Sequence, residues 1–239
     1  MRSGYFLLIL STIWIFALLS AWDLRQVLVS GVSFNGLIFG DYWAISNHVS
    51  WLPLSAEIAR GNIFPIDPFL GQGGSGIGFF PYLSLWTTGV LIALFGTGVT
   101  ILIGSTLLPT VSYYFMVLIY RRYLSWRWSI SIAALGILGF NSAPFREFLA
   151  GLVTGDGWKD FGILNSPDAI GFPFPAISLL SFLVLFYLSG QRTYLSRRRT
   201  VILSIAWGLQ TQIHLLNAVF GIPFWFSILA LNMWRSNRN

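Results

Sequence analysis

Residues 82–95 read YLSLWTTGVLIALF and carry no charged side chain. Pro81 precedes them and Gly96-Thr97-Gly98 follows. The segment has 14 residues, whereas a helix that crosses a hydrocarbon core about 30 Å thick needs roughly 20. A segment this short is more typical of the membrane interface than of a span, so the number of spans in this chain depends on it. Its length favours six spans over seven.

The composition indicates an integral membrane protein. Hydrophobic residues make up 55% of 239 and charged residues only 9%, with a mean hydropathy of +0.71, whereas soluble domains have about 25% charged residues. Backbone groups in lipid must bond internally, so we expect an all-α fold. The basic character does not indicate nucleic acid, because arginines beside apolar runs set membrane orientation and meet anionic headgroups. The absence of cysteine excludes disulfides and thiolate chemistry.

The apolar runs predict one transmembrane domain covering residues 1–239. The predicted spans are residues 4–22, 99–120, 128–143, 173–188, 200–216 and 219–234. With a cytoplasmic N-terminus, all eight carboxylates fall in two external loops, 23–98 and 144–172, and the arginine clusters fall mostly on the other side. If residues 82–95 do cross, there are seven spans and the N-terminus is external, a topology that the positive-inside rule accommodates almost equally well.

The long first loop holds most of the candidate functional groups. Residues 42–60 could form an amphipathic helix capped by Asp41, with His48 on nearly the same face seven residues later. Gly61-Asn62 would stop this helix. We expect it and residues 82–95 to lie along the membrane surface, and loops of this length tend to be functional.

The order of motifs in this loop resembles the GT-C superfamily of polyprenyl-phosphate-sugar-dependent membrane glycosyltransferases. Gly40-Asp41 matches the acidic residue near the start of their first external loop. Gly61-Asn62-Ile63-Phe64-Pro65 is similar to their Gly-x-x-Pro-like turn, and Phe80-Pro81-Tyr82 to the aromatic–Pro step before a short surface helix. The run from Gly71 to Gly76 most resembles uncharacterised bacterial members, the YfhO-like and pyruvoyl-tetrahydropterin synthase-related membrane proteins.

The resemblance covers an N-terminal module, since superfamily members usually have more spans. The chain would then be part of a larger architecture, a compact relative or half of an assembly. The resemblance implies sugar transfer from a polyprenyl-phosphate donor to an acceptor on the external face of a bacterial inner membrane, as in cell-envelope synthesis. In that reaction Asp41 would act as the general base.

A second external loop carries Gly155-Asp156-Gly157-Trp158-Lys159-Asp160, where oligosaccharyltransferase catalytic subunits have an Asp motif. With Asp41, the acids Asp156 and Asp160 have the right chemistry to hold a divalent cation such as Mg²⁺ or Mn²⁺, because hard cations prefer carboxylate oxygens. A solvated turn is the alternative interpretation. Asp41 also stands alone rather than in an Asp-x-Asp pair, so metal dependence stays open.

Other polar residues are candidates for binding substrate. Arg60, Arg146 and Lys159 are the cations among the acids, and they could stabilise a departing phosphate or simply pair with neighbouring carboxylates. His214 follows Gln210 by one helical turn in the fifth span, a pattern typical of a cavity or of contacts between helices. The remaining candidates are His48, Glu57, Asp67 and Glu147.

Two other functions fit the sequence less directly. A non-catalytic scaffold or partner membrane subunit would keep the fold and lack the active site. A transporter would have broken helices and intramembrane charges, whereas the predicted spans contain almost no ionisable residues.

Overall fold

The computed structural model describes residues 2–30, 54–65, 82–137, 174–190, 196–213 and 215–236. Within these ranges the regular structure is entirely helical. The helices are α1 (Arg2–Ser30), α2 (54–59), α3 (Tyr82–Phe95), α4 (Thr97–Leu102), α5 (Leu108–Tyr120), α6 (Trp126–Ile137), α7 (Phe174–Ser189), α8 (Arg197–Leu209) and α9 (Leu215–Ser236).

The first helix continues beyond the predicted span 4–22. Helix α1 ends at Ser30, so residues 23–30, which the sequence predicts as the start of the external loop, are helical. The polar pair Asp23 and Arg25 interrupts the apolar run, but no glycine or proline stops the helix before Gly31. Its window Ser3–Ser20 has a mean hydropathy of 1.9, and by length and composition it is the one helix in the described ranges that could cross a membrane.

Shorter apolar helices lie in three of the other predicted spans, 99–120, 173–188 and 219–234. Helices α4 and α5 are joined without a break by a π-helical turn, Ile103–Leu107, because the residues on both sides of the turn keep right-handed helical dihedrals. Together these three pieces have 24 residues, about 36 Å at 1.5 Å per residue. Apolar stretches also lie at Ala176–Ser189 and Val219–Leu231.

The ends of the later helices differ from the prediction by a few residues. Helix α7 is shifted by one residue from 173–188. Helix α8 begins three residues before the predicted 200 and tightens into a 3₁₀ turn at Gln210–Gln212. Helix α9 contains the whole of 219–234, with Pro223 inside it. Helix α6 covers the described part of the predicted span 128–143.

One core lies where α1 crosses α5 and α6. A narrow stripe of α1 is buried there, and the rest of the helix is apolar and exposed, for example Phe6 at 66% and Ile13 at 59%. A helix on the surface of a soluble protein would carry polar residues at such positions. The buried residues of this core are Leu8, Ile15, Leu19, Tyr113, Val117, Ala133 and Ile137.

A second core is built around the indole of Trp207, which is 1% exposed. Its Nε1 donates a hydrogen bond to Ser189 Oγ at 3.1 Å, which ties α8 to α7. Trp225 Nε1 of α9 donates to Ser204 Oγ of α8 at 2.9 Å. Three helices are therefore joined by aromatic packing and by hydrogen bonds that satisfy both indole donors.

The arginines of three helix termini gather at one end of the bundle, which we call the arginine end. It comprises Arg121, Arg122, Arg127, Arg197, Arg198 and Arg199. The start of α1 lies there too, because the Tyr5 ring meets the Trp126 ring edge-on at 5.3 Å. The N-terminal residues and these arginine clusters thus share one end of the fold.

Helices α3 and α4 form a hairpin at the opposite end. Leu83 and Leu108 pack against the same cluster of Ala176, Ile177 and Ile213, near the start of α7 and far from the arginine end. Between Leu83 and Leu108 the chain runs outward on α3, turns at Gly96 and returns on α4. We call this element the outer hairpin.

Candidate functional site

Most of the candidate site residues predicted from the sequence lie outside the described residues. These are Asp41, His48, Asp67, Arg146, Glu147, Asp156, Lys159, Asp160 and His214. Glu57 and Arg60 are described, and they lie on α2 and the turn after it. The geometry of the candidate site is therefore the geometry of residues 54–65 and of the helix on which they pack.

Glu57 and Arg60 form an ion pair. Arg60 Nη1 lies 2.6 Å from Glu57 Oε1, one helical turn away. The side chains are 75% exposed for Arg60 and 44% for Glu57, and pairs this exposed contribute about 0.2–1 kcal/mol. The guanidinium can therefore exchange Glu57 for another anion at little cost. Arg60 therefore pairs with a neighbouring acid, which is one of the two roles that the sequence allows. Its exposure still lets it bind a phosphate in place of Glu57.

The turn after α2 ends the helix as the sequence predicts. Gly61 has φ 99°, a conformation that glycine adopts without strain. Its N–H donates to Ile58 O at 2.9 Å, and the Asn62 N–H donates to Glu57 O at 3.0 Å. Glu57 therefore anchors this turn through its backbone while its side chain holds Arg60.

Residues 54–65 are fixed in place by α3. Leu54 packs against Leu85, and both side chains are buried. Trp86 Nε1 donates to Ile63 O at 2.8 Å, and the Trp86 ring meets the Phe64 ring edge-on at 5.7 Å. These contacts hold the end of the turn on the indole, so the ion pair of Glu57 and Arg60 is carried on the outer hairpin.

The docking of residues 54–65 on α3 was not predicted from the sequence. The sequence does contain one indication of this docking. On α3 a small residue, Gly89, follows the large residue Leu85 by one helical turn. In the structure Gly89 lies directly beneath Ile58 and the backbone of Ser55. Small residues allow such a close helix approach, so Gly89 marks the contact that positions the turn.

Gly96 is the turn residue between the two helices of the outer hairpin. Its φ is 78°, its N–H donates to Ile92 O at 2.8 Å, and its carbonyl accepts the Thr100 N–H at 3.1 Å. The Ser84 hydroxyl at the base of the hairpin donates to Ile213 O at 3.0 Å. The hairpin is thus attached to the bundle at its base and bends at a single glycine at its tip.

Gln210 makes a contact between helices. It is 2% exposed, and its Oε1 lies 3.1 Å from the Ser181 hydroxyl of α7. Of the two interpretations of the Gln210–His214 spacing, a cavity or a contact between helices, this hydrogen bond corresponds to the second for Gln210. The 3₁₀ turn that begins at Gln210 also interrupts the regular α-helical spacing on which that pattern was based.

The arginine end concentrates positive charge, because six arginines lie there. Arg122 Nη2 donates to Tyr187 O at 3.0 Å, and its guanidinium lies 4.7 Å from the centroid of the Tyr187 ring. Arg199 Nη2 donates to Leu188 O at 2.6 Å. Arg122, in the turn after α5, and Arg199, on α8, thus cap consecutive carbonyls at the C-terminus of α7, where the helix dipole favours cations.

The described residues contain no group of three or more His, Asp or Glu side chains that could hold a metal ion. The three acids expected to bind a divalent cation, Asp41, Asp156 and Asp160, lie outside the described ranges. The cation therefore stays a prediction.

Comparisons of the chain with known protein families, with curated proteins and with solved structures found no match.

Proposed function

We propose that the chain is an integral membrane glycosyltransferase of the GT-C type, which transfers a sugar from a polyprenyl-phosphate donor to an acceptor on the external face of the membrane. One observation supports this proposal most directly. Two separate pieces of the first-loop pattern, residues 54–65 and α3, fold together into one unit. That unit lies at the end of the bundle opposite the arginine end, where the six-span topology puts the acidic loops.

Membrane insertion is supported by the exterior of the helices. Between its ends α1 carries exposed Phe, Ile, Leu and Trp side chains, which would be unfavourable in water. Four shorter helices, at Leu83–Phe95, Leu108–Tyr120, Ala176–Ser189 and Val219–Leu231, are also apolar. We infer a six-span protein whose arginine end faces the cytoplasm of a bacterial inner membrane.

The chemistry of the proposed reaction uses one base and at least one cation. The acceptor hydroxyl attacks the anomeric carbon of the sugar, the new C–O bond forms, and the bond to the phosphate oxygen breaks. The acceptor proton passes to the Asp41 carboxylate, and the electron pair of the broken bond leaves with the polyprenyl phosphate. Arg60 would stabilise that phosphate by releasing Glu57. Arg146 and Lys159 are further candidates for the same role.

The function is tested with the full chain in liposomes that contain a radiolabelled polyprenyl-phosphate hexose. We expect release of polyprenyl phosphate that depends on an added acceptor. The assay is repeated with a panel of sugar donors and with membrane extracts as the acceptor source. Donor that stays intact throughout, with folded protein present, would support the non-catalytic scaffold instead.

The topology is tested with single cysteines, because the natural chain contains none. We expect Ser50→Cys and Asp160→Cys to react with a membrane-impermeant maleimide added outside intact cells, and Ser125→Cys, at the arginine end, to react only after permeabilisation. Opposite labelling of positions 50 and 160 would contradict the six-span topology. Labelling of all three positions from outside would contradict the cytoplasmic placement of the arginine end.

A further inference from the structure

The arginine end contains two groups of arginines with different surroundings. Arg122 and Arg199 are engaged in capping α7, and Arg121 donates to Leu124 O and lies over the Trp126 ring. Arg197 and Arg198, by contrast, are exposed and make no hydrogen bond or ion pair with any described residue. These two guanidiniums are thus available to an external anion.

The surface below these two arginines is apolar. Arg198, Ile202, Ile205 and Leu209 follow one another at intervals of four, three and four residues, so they lie on one face of α8. The three apolar side chains are 55%, 61% and 48% exposed. From Arg198 to Leu209 the helix rises about 16 Å, close to the roughly 15 Å of one leaflet's hydrocarbon. The face therefore combines a cationic head with an apolar stripe of leaflet length.

The surrounding charges favour an anion at the head of this stripe. Arg197, Arg198 and Arg199 occupy the first turn of α8, where the positive end of the helix dipole disfavours cations and favours a bound anion. Glu57, the one carboxylate whose side chain the structure describes, lies at the opposite end of the fold. No described side chain therefore supplies an anion that could balance the charge of these arginines.

We propose that this face of α8 binds an anionic phospholipid. The phosphate diester contacts Arg197 and Arg198, and an acyl chain follows Ile202, Ile205 and Leu209. A free phosphate would use the arginines but not the apolar stripe, which is why the lipid is the better fit. The inference needs α8 to lie in a membrane but does not depend on glycosyl transfer, so the two proposals can fail separately.

The test is native mass spectrometry of the full chain in detergent, titrated with phosphatidylglycerol or phosphatidylcholine. We expect tight retention of phosphatidylglycerol and weak retention of phosphatidylcholine. The variant Arg197→Gln/Arg198→Gln should retain phosphatidylglycerol about 25-fold less tightly, at about fivefold for each arginine near a membrane surface. The charge-preserving variant Arg197→Lys/Arg198→Lys should recover most of this affinity.

A second variant addresses the acyl chain independently of the arginines. Ile202→Asn/Ile205→Asn alters only exposed side chains and should also weaken phosphatidylglycerol retention, while thermal unfolding stays near that of the natural protein. The proposal is overturned if phosphatidylcholine binds equally well, or if either Arg197→Gln/Arg198→Gln or Ile202→Asn/Ile205→Asn folds and keeps full affinity. Displacement of the lipid by millimolar inorganic phosphate would overturn it in favour of a site for free phosphate.

Discussion

Replacing Asp41 with asparagine is expected to lower the rate of sugar transfer by about 100- to 10,000-fold, the usual contribution of a positioned general base. The amide has nearly the same shape as the carboxylate but cannot take the acceptor proton. Initial rates of polyprenyl phosphate release, measured over a range of acceptor concentrations, separate kcat from KM. A loss in kcat is the result that assigns the base.

Asp23→Asn is the matched control for this prediction. It makes the same chemical change at the preceding acid in the sequence, which lies on α1. We expect it to keep transfer within about twofold, because the proposed reaction uses Asp41 and not Asp23. Full activity in Asp41→Asn would remove Asp41 as the base, and a loss confined to KM would make it a substrate contact. Equal losses in both variants would indicate a general effect on folding.

Adding one methyl group at Gly221 is expected to destabilise the protein by about 2 kcal/mol, although alanine is the better helix former by about 1 kcal/mol. A Cβ at this position would lie 2.6 Å from Trp207 Cε3 and closer still to Cζ3. The indole cannot easily retreat, because its Nε1 is bonded to Ser189 and the Phe182 ring meets it edge-on at 5.6 Å. Helices α8 and α9 would have to separate.

The matched control is Gly208→Ala, one residue after Trp207 on α8. Apart from its chain neighbours and the backbone of its own helix, a Cβ built there would meet no atom within 4 Å, and the position is exposed. This variant should be as stable as the natural protein or more stable by up to about 1 kcal/mol, because alanine favours the helix. Unfolding in detergent is followed by tryptophan fluorescence. If the two alanine variants unfold at the same temperature, the close packing of Gly221 on Trp207 is not important for stability.

Helix α3 was predicted from the sequence with its correct bounds, because Pro81 and Gly96 bracket an uninterrupted apolar run. The end of α1 was missed for the opposite reason. Hydropathy falls at Asp23 and Arg25, but a fall in hydropathy marks the edge of an apolar run rather than the end of a helix. The helix itself continues as long as nothing stops it.

The tertiary contacts of the candidate site could not be read from the sequence. Trp86 and Ile63 are joined over 23 positions, and nothing local in either segment indicates the other. The arginines could be assigned to one side of the bundle by counting charges. The sequence does not show that Arg122 caps α7 whereas Arg198 is exposed, because this difference depends on the position of the C-terminus of α7 in the folded chain.

The outer hairpin connects the ion pair of Glu57 and Arg60 to the helix bundle. Residues 54–65 pack on α3 through the Leu54–Leu85 and Trp86–Ile63 contacts. The start of α3 is in turn hydrogen-bonded to the bundle, because the Ser84 hydroxyl donates to Ile213 O. A displacement of Ile213, at the junction of α8 and α9, would therefore be passed through Ser84 and α3 to the turn that carries Arg60.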